Sequence, residues 1–167
     1  MMSDVPTQEN PLTRLAQRGL TLPSAPAPAG LYQPYTQEGS LVMISGMLPL
    51  REGRLSFLGP VGEGRTTIEE ARQAAVDCLL NALAVLQESA GEDFSGLRKI
   101  LFLQGFVYGV EGFSDSPLVL NAASEILNDI FGSRGAHARA AVSVNGLPKA
   151  AAVELTLTAA VTTPNNP

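Results

Sequence analysis

Two amphipathic helices have to cover five or six apolar strands, and this imbalance constrains the fold of the chain more than any other feature. Ile68, Ala71, Ala75, Cys78, Leu79, Ala82 and Leu86 recur at three- and four-residue spacing, the repeat of one helical face. Thr66 and Thr67, followed by Glu69 and Glu70, supply a hydroxyl cap and an acidic first turn, so the spacing predicts a helix from about 66 to 90 with Gly91 to end it. Leu120, Ala123, Ile126, Leu127 and Ile130 repeat the pattern over 116–131, with Gly132 beyond. Around these helices lie strand-like runs at 31–36, 40–46, 97–108, 138–145 and 152–162, with a short one at 54–58. Strands alternating with helices in this way call for helices on one face of a mixed sheet, an α+β fold. The last two strands carry Val142, Val144, Val153, Leu155 and Leu157 with Ala, Ser and Thr among them, a pattern of strands covered on both faces. The second face is therefore expected to pack on further copies of the chain, in a closed cyclic assembly.

The bulk numbers exclude several classes of function. A chain of 167 residues that is 45% hydrophobic and 16% charged suits one globular domain with a sizeable core. Net charge is −5 and the only Arg/Lys doublet, Arg98-Lys99, is expected at a helix-to-strand junction, so binding of nucleic acid through phosphates is not expected. Cys78 is the single cysteine, which rules out an internal disulfide, and its place on an apolar helical face suits core packing. No apolar run reaches the roughly 18 residues of a membrane span. The first residues lack the basic-then-apolar pattern of a leader, and a cytoplasmic location with no membrane partner is the expectation. The loop holding Gly59, Pro60, Gly62 and Gly64 is not a phosphate-binding loop, because no Gly-Lys-Ser/Thr follows it.

The ends read differently from the middle. Residues 1–10 are polar and expected to fray. Leu12, Leu15 and Ala16 give residues 11–19 one apolar helical face, stopped by Gly19. Pro23, Pro26 and Pro28 keep 21–30 extended, as a stiff arm over the domain. The organisation expected is an N-terminal arm over 1–29, one domain over 30–162, and a loose tail over 163–167.

The segment 136–157 carries the chemistry. It reads as two strands with a tight Gly146-Leu147-Pro148-Lys149 connection. Arg139 opens the first strand and Glu154 sits within the second. Charges in strands this apolar need partners, because an unpaired buried charge is costly. A ligand carboxylate for Arg139 and a reacting water for Glu154 would be one such set. His137 is the only histidine; one histidine makes neither a metal site nor, without a placed Ser or Cys nucleophile, a triad, so it receives no direct role.

Taken together, Leu31-Tyr32, Ile44-Ser45-Gly46, Asn81 with Ala82 and Leu83, Phe106-Val107-Tyr108, Phe113, Leu120-Asn121, Arg139 with Ala140, Ala141 and Val142, Leu147-Pro148-Lys149 and Glu154 follow one another in an order that resembles the RidA/YjgF family, also called the endoribonuclease L-PSP family. The likeness covers about 30–162, and the added arm resembles a longer-chain branch. It implies a chorismate-mutase-like fold and a homotrimer whose sheets form a central barrel, with ligand sites in clefts between subunits. It also implies hydrolysis of small 2-imino acids to 2-oxo acids and ammonia, with no metal and no organic cofactor. Carried over residue by residue, Arg139 matches the carboxylate-binding arginine and Glu154 the acid beside the reacting water. Gly46 matches a glycine beside the ligand, though a turn glycine reads the same way. Tyr32 matches an aromatic that closes the cleft, or one that packs the arm. Asn121 matches a helix asparagine near the site, or a cap. Ala140 and Ala141 contribute backbone groups. Two positions depart from the family pattern: a common thiol is replaced by Ala141, and a basic residue before Leu147 by Gly146. The alternatives are a trimer that binds small carboxylates without turnover and, against the acidic charge, a ribonuclease.

Overall fold

Local chemistry sets the elements before packing joins them. The computed structural model describes residues 10–163. Helix α1 (Pro11–Gln17) starts where the Asn10 side chain accepts the Leu12 N–H at 2.8 Å, and Pro11 sits at the first helical position. Strands β1 (Tyr35–Glu38) and β2 (Leu41–Ile44) and the small ribbon of β3 (Leu50–Arg51) and β4 (Arg54–Leu55) follow. Helix α2 (Ile68–Ala90) opens with a capping box: the Glu70 N–H donates to Thr67 Oγ1 at 3.1 Å, and the Thr67 N–H donates to Glu70 Oε2 at 2.8 Å. Next come β5 (Leu97–Tyr108), α3 (Ser116–Phe131), β6 (Ala138–Val144) and β7 (Val153–Val161). The expectations for residues 1–9 and 164–167 lie outside the described residues.

One five-stranded sheet runs in the order β1-β2-β7-β5-β6, with the β5–β6 pair parallel and the other pairs antiparallel. Helices α2 and α3 lie on one face, as the alternation of elements required. Along β7, Val153, Leu155, Leu157, Ala159 and Val161 are buried, while Glu154, Thr156, Thr158 and Ala160 turn to the other face. In β2, Val42 and Ile44 are buried whereas Leu41 and Met43 are 41% and 52% exposed. Val142 in β6 is 42% exposed. The face without helices is thus apolar at Leu41, Met43 and Val142.

Two expectations need correction. The first strand begins at Tyr35 and not at residue 31. Pro34 has no N–H for a ladder, although its carbonyl accepts the Ser45 N–H at 2.9 Å just ahead of β1. Nor does a tight turn join the last two strands directly, because β5 lies between them. The α3 crossover returns the chain parallel to β5 on one side, which leaves only the other edge of β5 for β7. Residues 145–152 therefore pass over the end of β5, through a 3-10 turn in which Lys149 and Ala150 take φ of 56° and 57°. Arg98 and Lys99 are exposed residues of β5 itself, next to a register shift.

The arm lies on the domain. Arg14 Nη1 donates to the Asp129 carbonyl at 2.8 Å, Arg18 pairs with the Asp129 carboxylate at 2.6 Å, and Leu15 is buried. Pro26, Ala27, Pro28 and Ala29 wall a cavity against Gly46, Met47, Leu48 and Leu50. Cys78 is buried and its Sγ–H donates to the Val153 carbonyl at 3.5 Å.

Candidate functional site

Arg139 is the second residue of β6, opposite buried Leu103 of β5, so its side chain turns toward α3. Asn121 and Ser124 stand one turn apart on α3 and meet it there. Arg139 Nη1 donates to Asn121 Oδ1 at 2.9 Å and to Ser124 Oγ at 3.1 Å. Its Nη2 reaches the Pro117 carbonyl at 3.4 Å. All three acceptors are neutral, and among the described residues no carboxylate forms an ion pair with Arg139. The guanidinium is oriented, yet its charge is not cancelled. Ser124 Oγ is also 3.0 Å from His137 Nε2, and His137 Nδ1 is 2.6 Å from the Gly135 carbonyl. Sequence reasoning missed Ser124 and set His137 aside. The three-residue spacing from Asn121 was the available signal for Ser124.

Glu154 is half-buried in β7 and faces the side of the sheet without helices. Burial pushes its carboxyl above the ordinary value. Gly46 lies directly against it: a Cβ at residue 46 would fall 2.1 Å from Glu154 Oε1. This contact needs a residue without a side chain. Close by, Tyr32, Gly46 and Lys149 share the walls of a cavity of about 70 Å³ with arm residues 26–29. The Tyr32 hydroxyl accepts the Ala29 N–H at 3.3 Å, which ties the ring to the arm.

The predicted residues fall into two groups. Asn121 joins Arg139 on the helix side; Tyr32 and Gly46 join Glu154 at the other. Arg139 is level with Leu103, and Glu154 with Phe106. Three residues of strand, roughly 10 Å, and the thickness of the sheet separate them within one chain. Ala140 and Ala141 follow Arg139 on β6, an edge strand whose outer backbone groups have no strand partner among the described residues. A larger groove of about 640 Å³ opens at the far end of β6, lined by Tyr108, Glu111, Phe113, Ser143 and Asn145, and takes in none of the predicted residues. Among the described residues no group of three His, Cys, Asp or Glu side chains stands together to hold a metal, and no helix is long and apolar enough to cross a membrane. Burial drives the Cys78 thiol well above its usual range, so it is not a ready thiolate.

The fold agrees with what the chain matches. A family model described as "YjgF/chorismate mutase-like, putative endoribonuclease" matches residues 12–160. The chain belongs to this family. Protein TCP17 of Trypanosoma cruzi is 34% identical over 142 residues, which cover 84% of this chain and 88% of that protein. Among solved structures, protein Atu1372 of Agrobacterium tumefaciens, of unknown function, is 34% identical with a TM-score of 0.85, covering 92% of this chain and 94% of that one. The YjgF gene product of E. coli is 26% identical with a TM-score of 0.57, over 82% of this chain and 93% of that one. The α+β, chorismate-mutase-like fold is therefore that of the YjgF family.

Proposed function

We propose that the protein is an enamine/imine deaminase, acting on small 2-imino acids in a cleft shared by two protomers of a homotrimer. The observation that carries the reading is Arg139, a guanidinium held, among the described residues, by neutral acceptors and so left with a positive charge to offer a carboxylate. The apolar open face at Leu41, Met43 and Val142 supports self-association. The separation of Arg139 from Glu154 within one chain is what a site assembled from two chains requires: one protomer brings Arg139 and Asn121, its neighbour Tyr32, Gly46 and Glu154.

In this reading Arg139 fixes the substrate carboxylate. Backbone groups at Gly46 and at Ala140 or Ala141 polarise the imine. Water adds to the imine carbon and a proton goes to nitrogen; the carbinolamine then collapses to the 2-oxo acid and ammonia. Glu154 orients the water and relays the proton, a task suited to a carboxyl whose proton affinity burial has raised. No step calls for a metal or an organic cofactor. The acidic net charge of −5 weighs against the endoribonuclease of the family's description.

The test supplies 2-aminoacrylate from a dehydratase and follows ammonia release. Wild-type protein is expected to accelerate release over buffer, and Arg139→Ala to lose about 10- to 100-fold in kcat/KM. Binding of 2-oxobutanoate by calorimetry without any turnover would replace the enzyme with a carboxylate-binding trimer. RNA cleavage that survives Arg139→Ala and extensive purification would revive the nuclease.

A further inference from the structure

We infer that Ser124 and His137 are positioning residues for Arg139, forming a relay that spends one end of the guanidinium and leaves its Nε–Nη2 edge to take a ligand carboxylate side-on. The functional use of that edge rests on the deaminase reading; the relay itself does not.

The relay starts from a fixed point. Gly135 is buried with its Cα pressed against α3, so closely that a Cβ there would fall 1.9 Å from the Leu127 carbonyl oxygen. Its N–H donates to the Gly132 carbonyl at 2.9 Å, which further holds the turn. His137 Nδ1 is 2.6 Å from the Gly135 carbonyl, and a carbonyl only accepts, so Nδ1 carries a proton. In the neutral ring Nε2 is then an acceptor. The Ser124 hydroxyl, 3.0 Å away, donates its single proton to it. The lone pairs of Ser124 Oγ are left for Arg139 Nη1 at 3.1 Å, and Asn121 Oδ1 takes the other Nη1 proton at 2.9 Å. Both protons of Nη1 are thereby used. What remains is Nη2, with one long contact to Pro117, and Nε, which has no hydrogen bond among the described residues. These two nitrogens lie side by side on one edge of the plane, the geometry of a bidentate pair with a carboxylate. Every link in this chain has its donor and acceptor fixed by the next, so losing any one weakens or removes the Ser124 bond and leaves Nη1 on Asn121 alone.

Four variants test the relay: Ser124→Ala and His137→Phe break it, Ser124→Thr keeps the hydroxyl, and His137→Gln keeps an acceptor near the Nε2 position. The first readout needs no ligand and no activity. In the wild-type trimer, ¹⁵N NMR is expected to show His137 protonated at Nδ1 and slow rotation of the Arg139 Nη groups. That rotation should become measurably faster in Ser124→Ala and His137→Phe, with Asn121 left as the one side-chain acceptor, and slow again in the two conservative variants. The second readout is kinetic: KM is expected to rise roughly fivefold to tenfold with kcat within twofold, because a lost carboxylate orientation is lost in ground and transition states alike. The double variant Ser124→Ala/His137→Phe should match either single one, since both cut the same chain. A His137 ring protonated at Nε2 alone, or unchanged Arg139 rotation in Ser124→Ala, overturns the inference. Additive effects in the double variant would overturn it as well. A relay intact by NMR in a protein that neither binds 2-oxobutanoate nor releases ammonia sinks the deaminase reading instead, and with it the side-on carboxylate.

Discussion

Arg139 and Glu154 show how differently two charged residues of one short segment can be used. Arg139 has three neutral acceptors, which hold its direction without cancelling its charge. Glu154 has a glycine backbone against it and pays in desolvation. The close approach gives a sharp prediction. Gly46→Ala puts a methyl 2.1 Å from Glu154 Oε1, too close to be tolerated, and that oxygen is the free end of a flexible side chain. The carboxylate should swing aside rather than the fold give way. We expect a Tm within about 2 °C of wild type by calorimetry, together with a loss of at least about tenfold in kcat of ammonia release. A large fall in Tm would show instead that residue 46 serves packing alone. The raised proton affinity of Glu154 sets a pH dependence. The folded protein holds this proton more tightly than the unfolded chain does. Its contribution favours the folded state below the ordinary carboxylate value of 4.5 and is lost as pH rises through the raised folded value. Glu154→Gln should therefore be more stable than wild type at neutral pH, with the advantage vanishing on acidification below about pH 4. Melting curves at pH 7 and pH 4 check the sign.

At the scale of elements, α3 does two jobs with two faces. Its apolar face, with Leu120, Ala123, Ile126, Leu127 and Ile130, packs on the sheet and on α2. The edge bearing Asn121 and Ser124 sets Arg139. The two jobs are coupled through Gly105 of β5, where a Cβ would fall 2.3 Å from Leu120 Cδ1 and 2.5 Å from Leu120 Cγ. Adding that methyl overfills the core. We expect Gly105→Ala to cost roughly 1–3 kcal/mol in urea unfolding. Because α3 has to move outward to make room, KM should rise as well; unchanged stability would mean that Leu120 repacks freely. The 3.6-residue pattern made α3 legible to within a residue, since a long helix repeats its signal over several turns. The strand at 31–36 was misplaced because a short edge strand offers little alternation, and Pro34 moves its start to Tyr35.

At the scale of the whole molecule, a sheet covered on one face by two helices leaves the other face to be covered by something else. Leu41 and Met43 on β2 and Val142 on β6 lie at opposite sides of that face. If three copies close around it, a charge placed there opposes assembly, because it would be desolvated without a partner. We expect Met43→Glu to shift the protein from trimer to monomer by light scattering, with activity lost while the helical circular dichroism signal is kept. A trimer indifferent to this substitution would mean that another surface makes the contact.

By itself the sequence determined the two long helices, the long strand over 97–108, the inward set of apolar residues and the family. These follow from local periodicity and from residue types in a fixed order, which are properties of the chain alone. It also singled out Arg139 and Glu154 as charges in need of partners. Tertiary structure alone decided that β5 separates the last two strands, because pairing depends on which edge the α3 crossover leaves free. Only the fold could set Gly46 against Glu154, residues more than a hundred positions apart. The link from His137 through Ser124 to Arg139 likewise rests on a helix and an edge strand meeting at hydrogen-bond distance, and no spacing along the chain encodes that meeting.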